Sequence, residues 1–316
     1  MAQKKLIAIV GATGAQGGGL ARAILNDGNS EFSVRAITRN PESENAKTLL
    51  QMGAEVVKAD IDNVESITEA FKGAYGAYCV TNFWEHFSPE KEVRQVKNMA
   101  LAAKAAELHH VIWSTLEDTR IWVPLSSNAM PTLMNNYKVP HFDAKGESNK
   151  FFAEQGVPTT NLLTSFYWEN LIYFQMGPQK GEEGKYNFNL PMGDKKLPGI
   201  SVEDIGKCAY GVFKAGGEYI GKTIGITGEH LTGLEMAAKQ SSILNKDIKY
   251  NHIPFDVYRS FDFPGAADLG NMFQFKHDYE DYFCGIRDID LSKKLNPELL
   301  DFNSWLVKNK EKIQLD

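Results

Sequence analysis

Seven residues near the amino terminus, Gly11, Ala12, Thr13, Gly14, Ala15, Gln16 and Gly17, have the types and spacing to hold a pyrophosphate. They follow an apolar run over residues 6–10 and open a helical stretch over residues 18–25. A turn of this kind brings main-chain amides close to phosphate oxygens, at the positive end of the helix dipole. The expected ligand is a dinucleotide. The spacing is Gly-x-x-Gly-x-x-Gly and not Gly-x-Gly-x-x-Gly, so the strand before it and the helix after it support the assignment. The competing reading is a plain glycine-rich connection, in which Gly18 and Gly19 merely allow close helix packing.

Further candidates stand at the ends of the strands that follow. An Asp or Glu at the end of the second strand would hold a ribose 2′-hydroxyl and repel a 2′-phosphate. This chain has Thr38, Arg39 and Asn40 there. A guanidinium can make charge-assisted bonds to phosphate, each worth about 1.5–3 kcal/mol. NADP(H) is therefore expected ahead of NAD(H), which stays open; a solvated surface arginine is the alternative. At the end of the third strand Asp60 can accept from an adenine amine while Ile61 covers the ring, and Asp62 beside them could instead cap the next helix. Thr81, Asn82, Phe83 and Trp84 end the fourth strand, where a nicotinamide ribose would pass, although the two aromatics could equally be ordinary packing.

These residues need a scaffold, and the apolar pattern supplies one. Strands are expected over residues 6–10, 32–38, 55–61, 74–81, 110–115 and 158–164, with helices between them near 44–52, 64–71, 88–108 and 141–155. Ser88, Pro89 and Glu90 make a strong helix start: a cap, a residue pre-set for the first turn, and a charge suited to the dipole. Parallel strands joined by crossover helices make a doubly wound sheet. The expected fold is α/β, a doubly wound parallel-sheet Rossmann domain over residues 1–165 with residues 200–230 returning to it. Residues 166–199 and 231–316 are expected to form a smaller α+β carboxyl-terminal domain on the substrate or partner side. The aromatics Phe166, Tyr167, Trp168, Tyr173 and Phe174 could line a pocket, form a contact surface or be core, and such density is most often core.

Bulk properties narrow the function classes. A chain of 316 residues with 43% hydrophobic content can bury a large core. A net charge of -6 without clustered Lys and Arg argues against direct nucleic-acid contact. Cys79, Cys208 and Cys284 are widely spaced and odd in number, which favours neither a disulfide framework nor a metal site. No apolar run reaches membrane-spanning length and no cleavable signal is visible, so a reducing cytoplasm is expected.

The segments GATGAQGGG, VRAITRNP, VTNFWEHFSPEKEV, HFDAKGE, YWENL and FPGAADLGNMFQF stand in an order that resembles the NmrA-like family of atypical short-chain dehydrogenases, over nearly the whole chain. The resemblance implies a Rossmann domain with a small carboxyl-terminal domain, NAD(P) binding, and a kinship with redox-sensing regulators that bind other proteins and work in the cytoplasm and nucleus. It implies cofactor contacts from Gly11 to Gly17, Arg39, Thr81, Asn82, Phe83, Arg94 and Lys145, and from Tyr167, Trp168, Glu169 and Asn170. Relatives often have Lys where Arg94 stands; the positive charge is kept.

Active short-chain dehydrogenases place a Tyr-x-x-x-Lys pair one turn apart on the helix that here begins His141, Phe142, Asp143, Ala144, Lys145. Lysine holds the nicotinamide ribose and lowers the tyrosine pKa, and the phenol gives its proton to the carbonyl oxygen that receives hydride. This chain keeps Lys145 and has His141 in place of the phenol. Imidazole can act as a general acid near neutral pH, but a shorter ring places the proton differently, and general acid catalysis is typically worth roughly 10² to 10⁴ in rate. Tyr210 and Lys214 repeat the spacing on a helix where nothing else lines up, and Pro140 argues against a helix reaching back to Tyr137. Ser114, with Thr115, occupies the place of the usual catalytic serine, but local hydrogen bonding explains a hydroxyl there equally well. His141, Lys145 and Ser114 are thus the catalytic candidates. The expected function is an NADP(H)-binding regulator or redox sensor that acts through a protein partner, without efficient dehydrogenase activity and with homodimerisation left open. The alternative is an NADPH-dependent reductase of quinones or other small carbonyls.

Overall fold

In the computed structural model, which describes residues 3–181 and 185–315, the first apolar run becomes β1 (Lys5–Val10), buried from Ile7 to Val10. A strand covered on both faces reads as an unbroken apolar run, which is why no alternation is visible there. It lies inside a seven-stranded sheet. β2 (Phe32–Thr38) pairs with it on one side and β3 (Glu55–Lys58) lies beyond; β4 (Gly76–Cys79), β5 (His110–Thr115), β6 (Thr159–Leu163) and β11 (Thr223–Gly225) extend the other side. The registers from β3 across to β6 are parallel. Strands are added outward from β1 first through β2 and then through β4, so the topology reverses between β1 and β4. In doubly wound sheets, ligands bind outside the carboxyl ends of the strands at that reversal.

The crossover helices are α1 (Ala15–Asn26), α2 (Glu44–Gln51), α3 (Val64–Phe71), α4 (Pro89–Ala105), α5 (Pro140–Glu154) and α7 (Val202–Lys214). Ser43 caps α2 by accepting from the Ala46 amide, and Ser88 caps α4 by accepting from Lys91, with Pro89 in the first turn. Three elements differ from the sequence expectation. α1 starts at Ala15 and not at Gly18, so Gly17, Gly18 and Gly19 lie inside the helix. Each glycine costs a helix roughly 0.5–1 kcal/mol relative to alanine, and close approach overrides that preference: a Cβ at Gly17 would stand 2.5 Å from the Gly11 carbonyl oxygen. β3 stops at Lys58 and not at Ile61, because Asp60 Oδ1 accepts from the Asp62 amide at 2.9 Å and bends the chain into an Asx turn. β4 runs only from Gly76 to Cys79 and not over 74–81, whereas α3 stands where expected, capped by Asn63.

This sheet and its helices make one compact unit, Met1–Asp118, His141–Leu163 and Ile205–Ile224. A core of residues such as Val10, Ile67, Phe71, Met99, Trp113 and Phe152 fills it. The second unit comprises Thr119–Pro140, Thr164–Asp204 and Gly225–Asp316. Residues 119–140, counted by sequence with the first domain, belong here for a visible reason. Asn271 on the helix Ala266–Asp278 donates to the carbonyls of Pro131 and Lys138, Gln274 donates to that of Ala129, and buried Lys138 donates to Ser127, Met130 and Thr132. Three of these bonds fix the loop to that helix, and the three from Lys138 close the loop on itself. The unit also holds two three-stranded sheets. One joins β7 (Phe166–Tyr167), β10 (Lys196–Ile200) and β12 (Glu229–Thr232); the other joins β8 (Gln179–Lys180), β9 (Tyr186–Leu190) and β13 (Ile248–His252). The aromatic cluster divides: Phe166 and Trp168 are buried core, whereas Tyr173 and Phe174 are both 68% exposed.

Candidate functional site at the carboxyl edge of the parallel sheet

Gly11 leaves β1 with φ +65°, the left-handed region that glycine enters at little cost. The Gly14 amide then closes the turn on the Gly11 carbonyl at 2.9 Å, and α1 begins with Gly14 and Ala15 exposed at its amino end. Asn45 donates to the Thr13 carbonyl at 3.0 Å, tying the turn to α2. Beside it a cavity of ≈ 40 Å³ is lined by Ala12, Thr13, Arg22, Asn45, Thr48, Leu49 and Met52. A glycine turn with exposed backbone at a helix amino end fits a pyrophosphate. Gln16 faces another way: its Oε1 accepts from Ser114 Oγ at 2.7 Å and from the Tyr78 hydroxyl. The Ser114 hydroxyl is thereby engaged in orienting Gln16.

At the adenosine side, Arg39 is 62% exposed at its side chain and is paired through both terminal nitrogens with Glu85. Asp60 closes its Asx turn, and the Ile61 carbonyl accepts from Asn98. Arg94 is exposed on α4. Asp62 pairs with Lys91 at 3.0 Å and accepts from Gln95 at 3.1 Å.

The end of β4 holds a buried charged cluster. Lys145 Nζ donates to Glu92 Oε1 at 2.6 Å, to Thr81 Oγ1 at 2.5 Å and to the Thr81 carbonyl at 3.2 Å, so all three ammonium protons have acceptors. Thr81 Oγ1 donates in turn to Glu92 Oε1 at 2.5 Å. Glu92 is wholly buried. Burial pushes its carboxyl up, but the Lys145 charge and the contacts from His86, Lys145 and Thr81 outweigh it and hold the group down at about 2. His86 Nδ1 accepts from the Ser88 amide, which leaves the proton on Nε2, facing Glu92 Oε2 across 3.5 Å. That separation is within ion-pair reach but too long for a good hydrogen bond, and neither atom has a hydrogen-bond partner among the described residues.

His141 is 5% exposed, in a nest of rings. Its centroid lies 4.7 Å from that of Trp84, 4.8 Å from Phe142 and 6.0 Å from Phe83. Phe83 is buried, Trp84 half-buried and Asn82 exposed. The first unit therefore brings the glycine turn, Arg39, Thr81, Phe83, Lys145 and His141 to one edge of one sheet.

Tyr167, Trp168, Glu169 and Asn170 belong to the second unit. Trp168 is 1% exposed and packs against Phe302 and Trp305. Glu169 accepts from Ser201 Oγ, the Val202 amide and Trp305 Nε1, which makes it the anchor at the start of α7. Tyr167 is half-buried and Asn170 opens α6 (Asn170–Tyr173). Tyr210 donates to Asp27 at 2.8 Å and accepts from Ser30 Oγ at 3.0 Å, with Lys214 over its ring, so the second Tyr-x-x-x-Lys match is a packing arrangement. No cluster among the described residues has the ligands for a metal ion, and no helix among them is long and apolar enough to cross a membrane.

Sequence reasoning missed the pairing of Glu92 with Lys145 and His86, of Glu85 with Arg39, and of Gln16 with Ser114 and Tyr78. For Glu92 a signal existed: on α4 the buried positions Pro89, Glu92, Val96, Met99 and Ala103 recur at helical spacing, and an acid on that stripe requires a buried cation.

Residues 3–306 match the model of the NmrA-like family. The NmrA-like family domain-containing oxidoreductase FrzB of Cladobotryum sp is 31% identical over 290 residues, covering 84% of this chain and 81% of the relative. Among solved structures, Nmra, a negative transcriptional regulator in complex with NADP, superposes with a TM-score of 0.78 at 24% identity, covering 97% of this chain and 95% of the other. NADPH-dependent quinone oxidoreductase QOR2 from Escherichia coli, in complex with NADPH, superposes with a TM-score of 0.75 at 21% identity, covering 96% and 99%. The structural likenesses show the Rossmann-like fold.

Proposed function

The chain belongs to the NmrA-like family, and from that membership we propose that it binds NADP(H) and acts as a regulator, one ligation state being recognised by a protein partner, without efficient hydride transfer. The observation that carries this reading is the commitment of Lys145 to Glu92 and Thr81 beside a buried imidazole where active short-chain dehydrogenases have a phenol. A lysine with every proton accepted inside the protein is poorly placed to lower a donor's pKa. The glycine cradle, by contrast, is fully formed, and the Cβ distance at Gly17 says why a side chain is excluded from it.

Gly11 to Gly17 would hold the pyrophosphate, Arg39 a 2′-phosphate, and Asp60 with Ile61 the adenine. Thr81, Asn82 and Phe83 would border the nicotinamide half, and Arg94 would add a positive charge to the cofactor site. When bound, the nicotinamide supplies hydride chemistry; the residues around it here supply binding and orientation. NAD(H) is the second ligand to be expected, since Nmra has also been solved with NAD. Regulation through a ligand requires unequal affinity for two conformations. The expected partner is a protein met in the cytoplasm or nucleus, with a second copy of the chain as a further candidate.

A second reading, an NADPH-dependent reductase of quinones or small carbonyls, is favoured by one observation: FrzB is described as an oxidoreductase. The two readings separate in one assay. Calorimetric titration with NADPH should show micromolar binding, and NADPH consumption with a panel of quinones and carbonyls should stay at background. Sustained turnover that disappears in His141→Ala would overturn the regulator and establish the reductase. Absence of binding at millimolar NADPH would overturn both.

A further inference from the structure

Arg39 and Glu85 meet fork to fork: Nη1 donates to Oε1 at 2.5 Å and Nη2 donates to Oε2 at 2.9 Å. Arg39 follows β2, and Glu85 sits in a short 3-10 turn, Phe83–Glu85, after β4. β1, which ends in the glycine turn, lies between those two strands. The ion pair therefore joins the strand ends on either side of the nucleotide cradle, like a strap across the carboxyl edge. A planar guanidinium presents a fork that carboxylate and phosphate oxygens match in the same bidentate way. Glu85 already fills it.

Both side chains are largely open to solvent, 62% for Arg39 and 43% for Glu85. An exposed pair is weakly held and easily exchanged. We propose that Glu85 is a specificity-determining residue, an internal occupant of the Arg39 fork that a nucleotide 2′-phosphate must displace and that a nucleotide with a free 2′-hydroxyl leaves in place. The inference rests on the reading that the glycine cradle takes a nicotinamide dinucleotide. Its consequence is that the affinity gained by recognising the extra phosphate is partly offset by the pair that must first be broken.

The test is a double-mutant cycle in which the dissociation constants of NADP⁺ and NAD⁺ are measured by calorimetry on the full chain, Glu85→Gln, Arg39→Ala and the double variant. Glu85→Gln should bind NADP⁺ about twofold to fivefold more tightly, the range an exposed ion pair supports, with NAD⁺ affinity unchanged. Arg39→Ala should weaken NADP⁺ selectively, and adding Glu85→Gln to it should then change nothing. If both dinucleotides bind but Glu85→Gln leaves their ratio as it was, or if its effect persists without Arg39, the proposal alone falls. A wild-type chain that binds neither dinucleotide removes the functional reading and this proposal with it.

Discussion

Lys145 and Glu92 form a buried pair whose value depends on both members being present. Removing one partner of such a pair costs about 3–5 kcal/mol, because the other is left charged in a low-dielectric surrounding. Lys145→Met should therefore lower the unfolding free energy in urea by that amount, and Glu92→Gln added to it should recover part of the loss. Strictly additive losses would show that the two side chains do not act as a pair. The pH dependence follows from the same cluster and from His110. The folded Glu92 carboxyl lies at about 2, below its ordinary 4.5, so its contribution is complete above pH 4.5 and is lost as pH falls toward 2. Burial beside Thr160 depresses the His110 imidazole from 6.5 to about 4, so its contribution is complete above pH 6.5 and is lost as pH falls toward 4. The urea midpoint should thus decline in two stages on acidification, and His110→Gln should remove the earlier one.

At the scale of elements, glycine decides how closely the nucleotide cradle and its support can approach. A Cβ at Gly17 would meet the Gly11 oxygen at 2.5 Å, and one at Gly206 on α7 would meet the Leu20 amide of α1 at 2.1 Å. Alanine normally favours a helix over glycine by roughly 0.5–1 kcal/mol, but here the neighbour is backbone and cannot turn aside. Gly206→Ala should cost about 1–3 kcal/mol, as overpacked cores do, read as a lowered melting temperature with nucleotide binding retained. Gly17→Ala should abolish dinucleotide binding in calorimetry. Much of this scale was legible in the sequence: β2, α3 and β5 lie where periodicity puts them, and Ser88-Pro89 caps α4 as its chemistry requires. What could not be read was tertiary. The start of α1 at Ala15 depends on a close approach between backbones, and the pairing of Arg39 with Glu85 joins residues far apart in sequence. Lys145 stood out in the sequence by its spacing from His141, but its acceptor Glu92 was hidden in an apolar stripe, because composition gives no sign of which cation an interior acid will meet.

For the molecule as a whole, the parallel sheet draws its outer strands β6 and β11 from segments that follow residue 118. A fragment of residues 1–118 would keep the glycine turn and Arg39 yet end at β5, whose six residues are all buried in the full chain. Such an uncovered edge is a template for pairing with other chains. The fragment should lack fixed near-ultraviolet circular dichroism and aggregate, whereas a fragment of residues 1–224 should show a cooperative transition. The same discontinuity sets a schedule for the protein's birth. At about 5–20 residues per second on the ribosome, the nascent sheet waits on the order of ten seconds with its flank bare before β11 emerges, so cells that make this chain in quantity would need a chaperone to stand guard over that interval.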